Sequence, residues 1–262
     1  GCWRAVEVIA PKGSVVHAQE PSPVVYANHE MSHRVADMFF GAFAQLAPDR
    51  VMTCSQGTSA ILTLGGVDYR TGRRYVSYET LKGGFGARPN KDGINAIASG
   101  ISNTMNTPIE VLEMSFPMRI EAYELIPDSG GAGTYRGGLG ARRVWRVLGN
   151  DADASLCCER TKSPPFGLAG GDPGAPARIT LEAPDGSRRT PNSKGAFRTA
   201  GESIVWYEAP GAGGYGPPKD RDPEKVRQDV VDGYVTVKAA TSDYGAEEGA
   251  DLECPACRAR AS

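Results

Sequence analysis

The sequence has little histidine and no excess of either charge. All three histidines, His17, His29 and His33, lie within the first 33 of 262 residues, so no Ser/His/Asp triad is apparent. The 29 Lys and Arg residues are balanced by 31 Asp and Glu residues, for a net charge of -2. Nucleic-acid-binding proteins ordinarily show a clustered basic excess, so this balance argues against that class. The mixed-charge run 219–229 indicates a solvated helix start.

Long apolar runs are also lacking. The longest apolar stretch, residues 35–47, is interrupted by Asp37 and falls short of the roughly 20 residues that a membrane-spanning helix requires. No signal-peptide pattern opens the chain, because Arg4, Glu7 and Lys12 interrupt any apolar segment there. We therefore expect a cytoplasmic protein without a membrane span.

Cysteine is sparse, whereas glycine is abundant. Six cysteines are too few for a disulfide framework in a chain of this length, and the adjacent Cys157 and Cys158 suit reduced thiols. The 33 glycines and 19 prolines cluster between apolar segments. This distribution predicts many tight turns in a strand-rich protein.

Periodicity predicts a β-rich α+β fold. Apolar residues recur at helical spacing over 30–46, which predicts one long amphipathic helix with Asn28 as its N-cap. Shorter helices are predicted over 92–101 and 223–231. Strands are predicted over residues 4–9, 60–64, 75–78, 118–126, 142–148, 154–158, 178–181, 188–190, 203–207 and 235–240. We expect the long helix to pack against a sheet, with several glycine-rich turns projecting toward a partner.

The segment HEMSH, residues 29–33, matches the zinc-hydrolase pattern H-E-x-x-H. His29 and His33 would share one helical face, and Glu30 would polarise a zinc-bound water. The only other histidine, His17, falls upstream on a predicted strand. An ordinary polar helix start, with Glu30 favourable to the helix dipole, is the preferred interpretation. A metal-dependent hydrolase that acts alone stays open as an alternative.

Three further motifs carry weaker indications. The segment DSGGAGTYRGGLG, residues 128–140, is glycine-rich like a phosphate-binding loop, but it lacks G-x-x-x-x-G-K-[ST] and precedes a strand pattern. Close approach of two backbones is the favoured explanation. Cys54 has no obvious base partner and is interpreted as a buried thiol. Cys254 and Cys257 form a C-x-x-C, half of a zinc site, in a predicted flexible polar tail over 246–262.

An ordered set of motifs runs through almost the whole chain. They are APKGSVVHAQEPSPV, NHEMSHRVAD, GGFGARPNKDG, NTMNTPIEVLEMSFPMR, DSGGAGTYRGGLG, PGAGGYGPPKDRDPEKVRQDV and DGYVTVKAATSDYG. Together they resemble the hydantoinase B/oxoprolinase family. In the second motif, Asn28, Glu30, Ser32, Arg34 and Asp37 fit the family pattern. That pattern does not call for the histidines of HEMSH, so chance overlap with the zinc motif is favoured.

The resemblance implies a role inside a larger enzyme. Residues 1–245 are expected to be the C-terminal region of a hydantoinase B-type subunit in an ATP-dependent hydrolase of cyclic amides such as hydantoins, 5-oxoproline or lactams. An ATP-binding hydantoinase A-type subunit and the N-terminal half of the B-type component are the implied partners in a hetero-oligomer. ATP and a divalent metal are both expected outside this chain. The alternatives are a subunit of an ATP-dependent acetone or acetophenone carboxylase, and a structural scaffold without catalytic residues.

Polar residues of the matching motifs are the candidate site residues. We expect them to line or brace an active-site cavity that the missing half mainly contributes. The candidate catalytic residues are Asp128, Arg136 and Glu113. The candidate substrate-binding residues are Asp92, Asn103 and Asn106. Asp128 and Arg136 are expected to orient each other or an anionic intermediate, because a guanidinium can bind a carboxylate through two hydrogen bonds.

Overall fold

Two antiparallel sheets form the centre of the structure, a computed structural model that describes residues 4, 6–98 and 100–247. The strands are β1 (Ile61–Val67), β2 (Arg74–Thr80), β3 (Met118–Leu125), β4 (Ala141–Val147), β5 (Ala152–Cys157), β6 (Arg178–Glu182), β7 (Arg188–Arg189), β8 (Lys194–Thr199) and β9 (Ile204–Glu208). One sheet has the order β2-β1-β5-β8, and the other has the order β3-β4-β9-β6-β7. The β-rich α+β class predicted from the sequence is confirmed.

Alternating side chains of both sheets build one apolar core. In β6, for example, Ile179 and Leu181 are buried, whereas the residues between and beside them are polar. Trp145 of β4 and Tyr207 of β9 are almost fully buried and belong to the same cluster as Leu64 of β1. The two sheets therefore share a core, and large aromatic side chains fill much of it.

Four helices lie outside the sheets, and two short 3₁₀ turns accompany them. The helices are α1 (Ala27–Phe43), α2 (Ile109–Ser115), α3 (Pro223–Val231) and α4 (Val237–Ser242). The 3₁₀ turns are Pro48–Arg50 and Pro218–Asp220. None of the helices in the described part of the chain is long and apolar enough to cross a bilayer.

The long helix α1 begins and packs differently from the prediction. It starts after Tyr26, which has φ 61°, so Tyr26 and not Asn28 is the N-cap residue. Met38, Phe39 and Phe43 in its second half are each more than half exposed. Apolar periodicity identified the helix, but it does not specify which element covers the apolar face. The predicted packing of this helix against a sheet is not confirmed.

The glycine-rich segments are buried and paired with each other, so the predicted projecting turns are wrong. Gly131 N donates to Ala212 O at 2.8 Å, and Ala212 N donates to Gly138 O at 2.9 Å. A Cβ on Gly137 would lie 2.0 Å from Ala212 O, and a Cβ on Gly84 would lie 2.0 Å from Gly138 O. Only glycine permits such backbone contacts, which confirms close approach as the reason for this composition.

Several local predictions are wrong because distant partners override local preference. The predicted helix over 92–101 is absent, because Ala96 N donates to Leu139 O and Ile97 N donates to Gly83 O. The predicted strand over 235–240 is instead the start of α4, since Thr236 caps that helix by accepting from Ala239 N.

Other differences concern elements that the pattern missed or misplaced. Residues 6–10 belong to no strand, and the sequence pattern missed both α2 and β8. Helix α3 has the predicted bounds. Most of the predicted tail, with Cys254 and Cys257, lies outside the described residues.

Candidate functional site

Four buried or half-buried ionic side chains meet beside α3, and we refer to Asp92, Arg136, Arg221 and Asp229 as the α3 ionic cluster. Arg136 Nε lies 3.3 Å from Asp229 Oδ2, and Arg221 Nη2 lies 2.7 Å from the same oxygen. Asp92 Oδ1 accepts from Arg221 Nη1 and from the Arg136 backbone N–H, each at 2.7 Å. Two guanidinium groups thus balance two carboxylates in a region with little solvent.

The charges of this cluster stabilise one another. Burial alone would raise the pKa of Asp92, but the hydrogen bonds and charge of Arg221 outweigh that effect, and the pKa is lowered. The same carboxylates raise the pKa of Arg221 against the opposing effect of burial. Tyr234 adds a cation–π contact, with its ring centroid 5.2 Å from the Arg136 guanidinium carbon. All four groups are therefore charged, and the cluster fixes α3 against the glycine-rich segments.

The structure brings two of the predicted site residues together, Asp92 and Arg136, but it does not pair Asp128 with Arg136. Asp128 accepts hydrogen bonds from the Thr236 N–H and the Thr236 hydroxyl, each at 2.8 Å, and so holds the start of α4. The carboxylate that faces Arg136 belongs to Asp229. Asp128 lies on the exposed surface, with φ 60°.

The remaining predicted residues lie around α2 and β3. Glu113 Oε1 accepts from the Ile120 backbone N–H at 2.9 Å and ties α2 to β3. Asn106 Nδ2 donates to the Tyr123 hydroxyl at 2.8 Å. Asn103 and Asn106 are both exposed. No contact in the described part of the chain joins these three residues to the α3 ionic cluster, and their functional roles stay predictions.

Sequence reasoning missed Arg221 and Asp229, because the run 219–229 looked like a solvated helix start. Both residues are buried. One clue was present in the helical spacing: Asp229 lies three residues after Val226 and one before Val230, which are the buried apolar residues of α3. A carboxylate on the buried face of a helix requires a buried cation as its partner.

A second buried ionic group lies against α1. Arg160 Nη2 donates to Asp37 Oδ2 at 2.7 Å and to Cys54 Sγ at 2.8 Å. Gly57, with φ +61°, allows this contact, because a Cβ there would lie 2.5 Å from both Arg160 Nε and Asp37 Oδ2. Burial raises the pKa of Cys54 well above its usual value, and the nearby Asp37 raises it further. Cys54 is therefore a neutral buried thiol, which confirms the prediction for it.

Glu30 is buried in the first turn of α1, with only one of its carboxyl oxygens bonded. Its Oε2 accepts from the Thr58 hydroxyl at 2.7 Å, whereas Oε1 has no hydrogen-bond partner. Burial raises the pKa of Glu30, against the lowering effect of Thr58 and of the Ser59 backbone N–H. Nearby, Glu159 pairs with both Arg34 and Lys194.

A cavity of about 370 Å³ opens beside Glu30. Its apolar wall comes from Val24, Val25, Met31 and Leu156, and its polar groups come from Glu30, Glu159 and Lys194. A larger groove of about 860 Å³ lies beside β1 and β2, but the charged side chains there that form ion pairs, Asp151, Asp153 and Arg198, are more than half exposed. The smaller cavity is the better candidate for ligand binding, because it combines apolar walls with a buried carboxyl group.

The HEMSH segment does not assemble a metal site. His33 is buried, and burial together with the neighbouring His29 and Arg34 lowers its pKa to about 4. His17 Nδ1 lies 2.9 Å from Ala10 O, in the segment that precedes α1. Across residues 4, 6–98 and 100–247, no three His, Cys, Asp or Glu side chains come close enough to hold a metal ion. The zinc-hydrolase alternative therefore has no third ligand in this part of the chain.

Comparison with known proteins identifies the family. The family described as hydantoinase B/oxoprolinase matches residues 1–218. The B-type subunit of a putative D-/L-hydantoinase from Pseudomonas sp. (strain NS671) is 30% identical over 94% of this chain and 41% of its own length. This chain belongs to the hydantoinase B/oxoprolinase family, as its motifs predicted.

Solved structures support the same relationship. The ATP-dependent caprolactamase from Pseudomonas jessenii matches with a TM-score of 0.81 and 30% identity, over 97% of this chain and 46% of that one. Acetone carboxylase, at 22% identity and a TM-score of 0.66 over 80% of this chain and 33% of that one, shares the fold. The chain thus spans less than half the length of these relatives.

Proposed function

We propose that this chain is the C-terminal region of the B-type component of an ATP-dependent hydrolase that opens small cyclic amides such as hydantoins, 5-oxoproline or lactams. The single observation that carries the proposal is the similarity to ATP-dependent caprolactamase over 97% of the chain, with a TM-score of 0.81. The family match over residues 1–218 supports the same class of reaction. The partners in this proposal are a hydantoinase A-type ATP-binding subunit and the N-terminal half of the B-type component.

ATP and a divalent metal belong to other parts of the complex in this proposal, because the residues of this chain do not fit either group. The glycine-rich segment 128–140 resembles an anion cradle in composition only. Its Gly131 and Gly137 amides donate to the carbonyls of Ala212 and Gly131, so they are not available to phosphate. The described carboxylates, thiols and imidazoles do not converge on a metal position either.

Within the complex, we assign Asp92 and Arg136 a positioning role. Both are held by the α3 ionic cluster, and Arg136 is only 4% exposed. They brace the glycine-rich segments and do not contact the substrate. In the assembled complex, Arg136→Ala should therefore lower the thermal midpoint and turnover together, without changing the pH profile of turnover. Unchanged turnover in a normally folded Arg136→Ala complex would remove this role.

The second candidate function is a subunit of an ATP-dependent ketone carboxylase, which the acetone carboxylase fold favours. Hydrolysis is preferred, because the caprolactamase structure is closer in sequence and covers more of this chain. The test is to purify the complex that contains this chain from its source and supply ATP with one substrate at a time. Ring opening of caprolactam, hydantoin or 5-oxoproline supports the proposal. Incorporation of labelled bicarbonate into acetone, without ring opening, would replace it with the carboxylase.

A further inference from the structure

The cavity beside Glu30 contains a polar group that the fold leaves unsatisfied. Glu30 is 7% exposed, and its Oε1 has no hydrogen-bond partner among the described residues. A buried carboxyl oxygen without a partner loses on the order of 1–3 kcal/mol relative to a bonded one. The same side chain lines the cavity of about 370 Å³. A ligand in that cavity that donates a hydrogen bond to Oε1 would recover this loss.

The surroundings of Glu30 define the rest of such a ligand. Val24, Val25, Met31 and Leu156 form an apolar wall suited to a few methylene groups. Lys194 also lines the cavity, and its ammonium group pairs with Glu159 through one of its three donors. Its side chain is 57% exposed, so the remaining donors can reach a ligand oxygen. The cavity thus presents an acceptor, an apolar wall and a cationic donor.

We propose that this cavity binds a small molecule with an N–H group on a short aliphatic frame, with the N–H on Glu30 Oε1 and an oxygen near Lys194. A cyclic amide and its ring-opened amino acid share this chemistry, and the choice of class rests on the proposed function. A volume near 370 Å³ is at the lower end of ligand pockets, which suits a single small ring. No relative's name and no motif assigns a site to these residues.

Two probes separate the sources of this chemistry. The 262-residue chain is titrated with caprolactam and, separately, with 6-aminohexanoic acid, and binding is followed by NMR. We expect saturable binding of at least one probe. Glu30→Leu should weaken it at least tenfold, because the acceptor is lost. Glu30→Gln keeps an acceptor but removes the negative charge, so it should weaken the amino acid more than the lactam. Lys194→Met should weaken only the amino acid.

The matched control is Glu110→Gln, because Glu110 is an exposed carboxylate in the first turn of α2 and lies outside the cavity. It should leave both affinities unchanged. Neither probe saturating at 50 mM would overturn the inference. Equal affinity in the wild type and in a folded Glu30→Leu or Glu30→Gln variant would overturn it as well.

The titrations need neither ATP nor a partner subunit, so their outcome is separate from the test of the proposed function. Ring opening by the complex, with no probe binding to this chain, would remove the cavity inference alone. Probe binding that depends on Glu30, without ring opening by the complex, would support the cavity inference and remove the proposed hydrolase.

Discussion

Arg136 and Asp229 are 93 residues apart in the chain and form a buried ion pair, with 3.3 Å between Nε and Oδ2. Arg221 shares the Asp229 carboxylate and extends the contact to Asp92. Removal of one partner from such a group leaves a buried charge without compensation, which is more costly than the pair is favourable. The α3 ionic cluster therefore makes the position of α3 conditional on every member.

Asp229→Asn should lower the free energy of unfolding by about 3–5 kcal/mol, because both Arg136 and Arg221 lose their shared counter-charge. Urea denaturation followed by circular dichroism measures the change. The control is Glu224→Gln, which removes an exposed surface pair with Arg227 on the same helix and should leave the midpoint unchanged. Equal midpoints for the two variants would show that the cluster does not hold the fold.

Gly84→Ala should prevent folding, since its Cβ would lie 2.0 Å from Gly138 O and 2.5 Å from Ala212 N, both backbone atoms. The yield of soluble protein and its circular dichroism spectrum measure the effect. Gly100→Ala is the matched control, because its Cβ would meet only the Phe85 ring at 3.5 Å, an ordinary contact. A Gly84→Ala protein with wild-type yield and spectrum would contradict the packing of the glycine-rich segments.

The sequence predicted those features whose cause is local. The alternation of Ile179 and Leu181 with polar neighbours indicated β6, and the spacing in 223–231 indicated α3. The α3 ionic cluster was only half predicted: motifs pointed to Asp92 and Arg136, but Asp229 lies 93 residues beyond Arg136. No local pattern specifies a partner at that distance.

The helix predicted over 92–101 failed for a related reason. Ala96 and Ile97 form backbone hydrogen bonds with Leu139 and Gly83, and these bonds replace the helical ones. The unpaired oxygen of Glu30 and the cavity beside it were likewise beyond the sequence. They depend on where residues 23–26 lie against β5 and β8.

His33→Gln should flatten the acid side of the stability profile. Burial lowers the pKa of His33 from 6.5 to about 4, so between these values the unfolded chain binds a proton that the folded chain does not. The contribution of His33 is full above pH 6.5 and is lost as the pH falls to about 4, on the order of 3 kcal/mol in total.

The difference in unfolding free energy between the wild type and His33→Gln, measured by urea titration from pH 7 to 4, isolates this effect. Contributions from Glu30 and Asp37, whose pKa values are raised by burial, are common to both proteins. His17→Gln, at an exposed histidine, serves as the control. A pH-independent difference between the wild type and His33→Gln would show that His33 is not held neutral.

Asp128→Ala should lower the free energy of unfolding by about 1 kcal/mol, because the Thr236 N–H and hydroxyl lose their acceptors at the start of α4. Asp128→Asn should come close to the wild type, since asparagine tolerates φ 60° and retains an acceptor. Thermal unfolding of the three proteins measures the order. An Asn variant as unstable as the Ala variant would contradict the assignment of Asp128 to α4.

The requirement of ring opening for ATP and for the partner chains tests the central claim most directly. Caprolactam hydrolysis is measured with the complex purified from source and with the 262-residue chain alone, each with and without ATP. We predict turnover by the complex with ATP and none in the other three conditions. Turnover by the 262-residue chain alone, without ATP, would contradict the account.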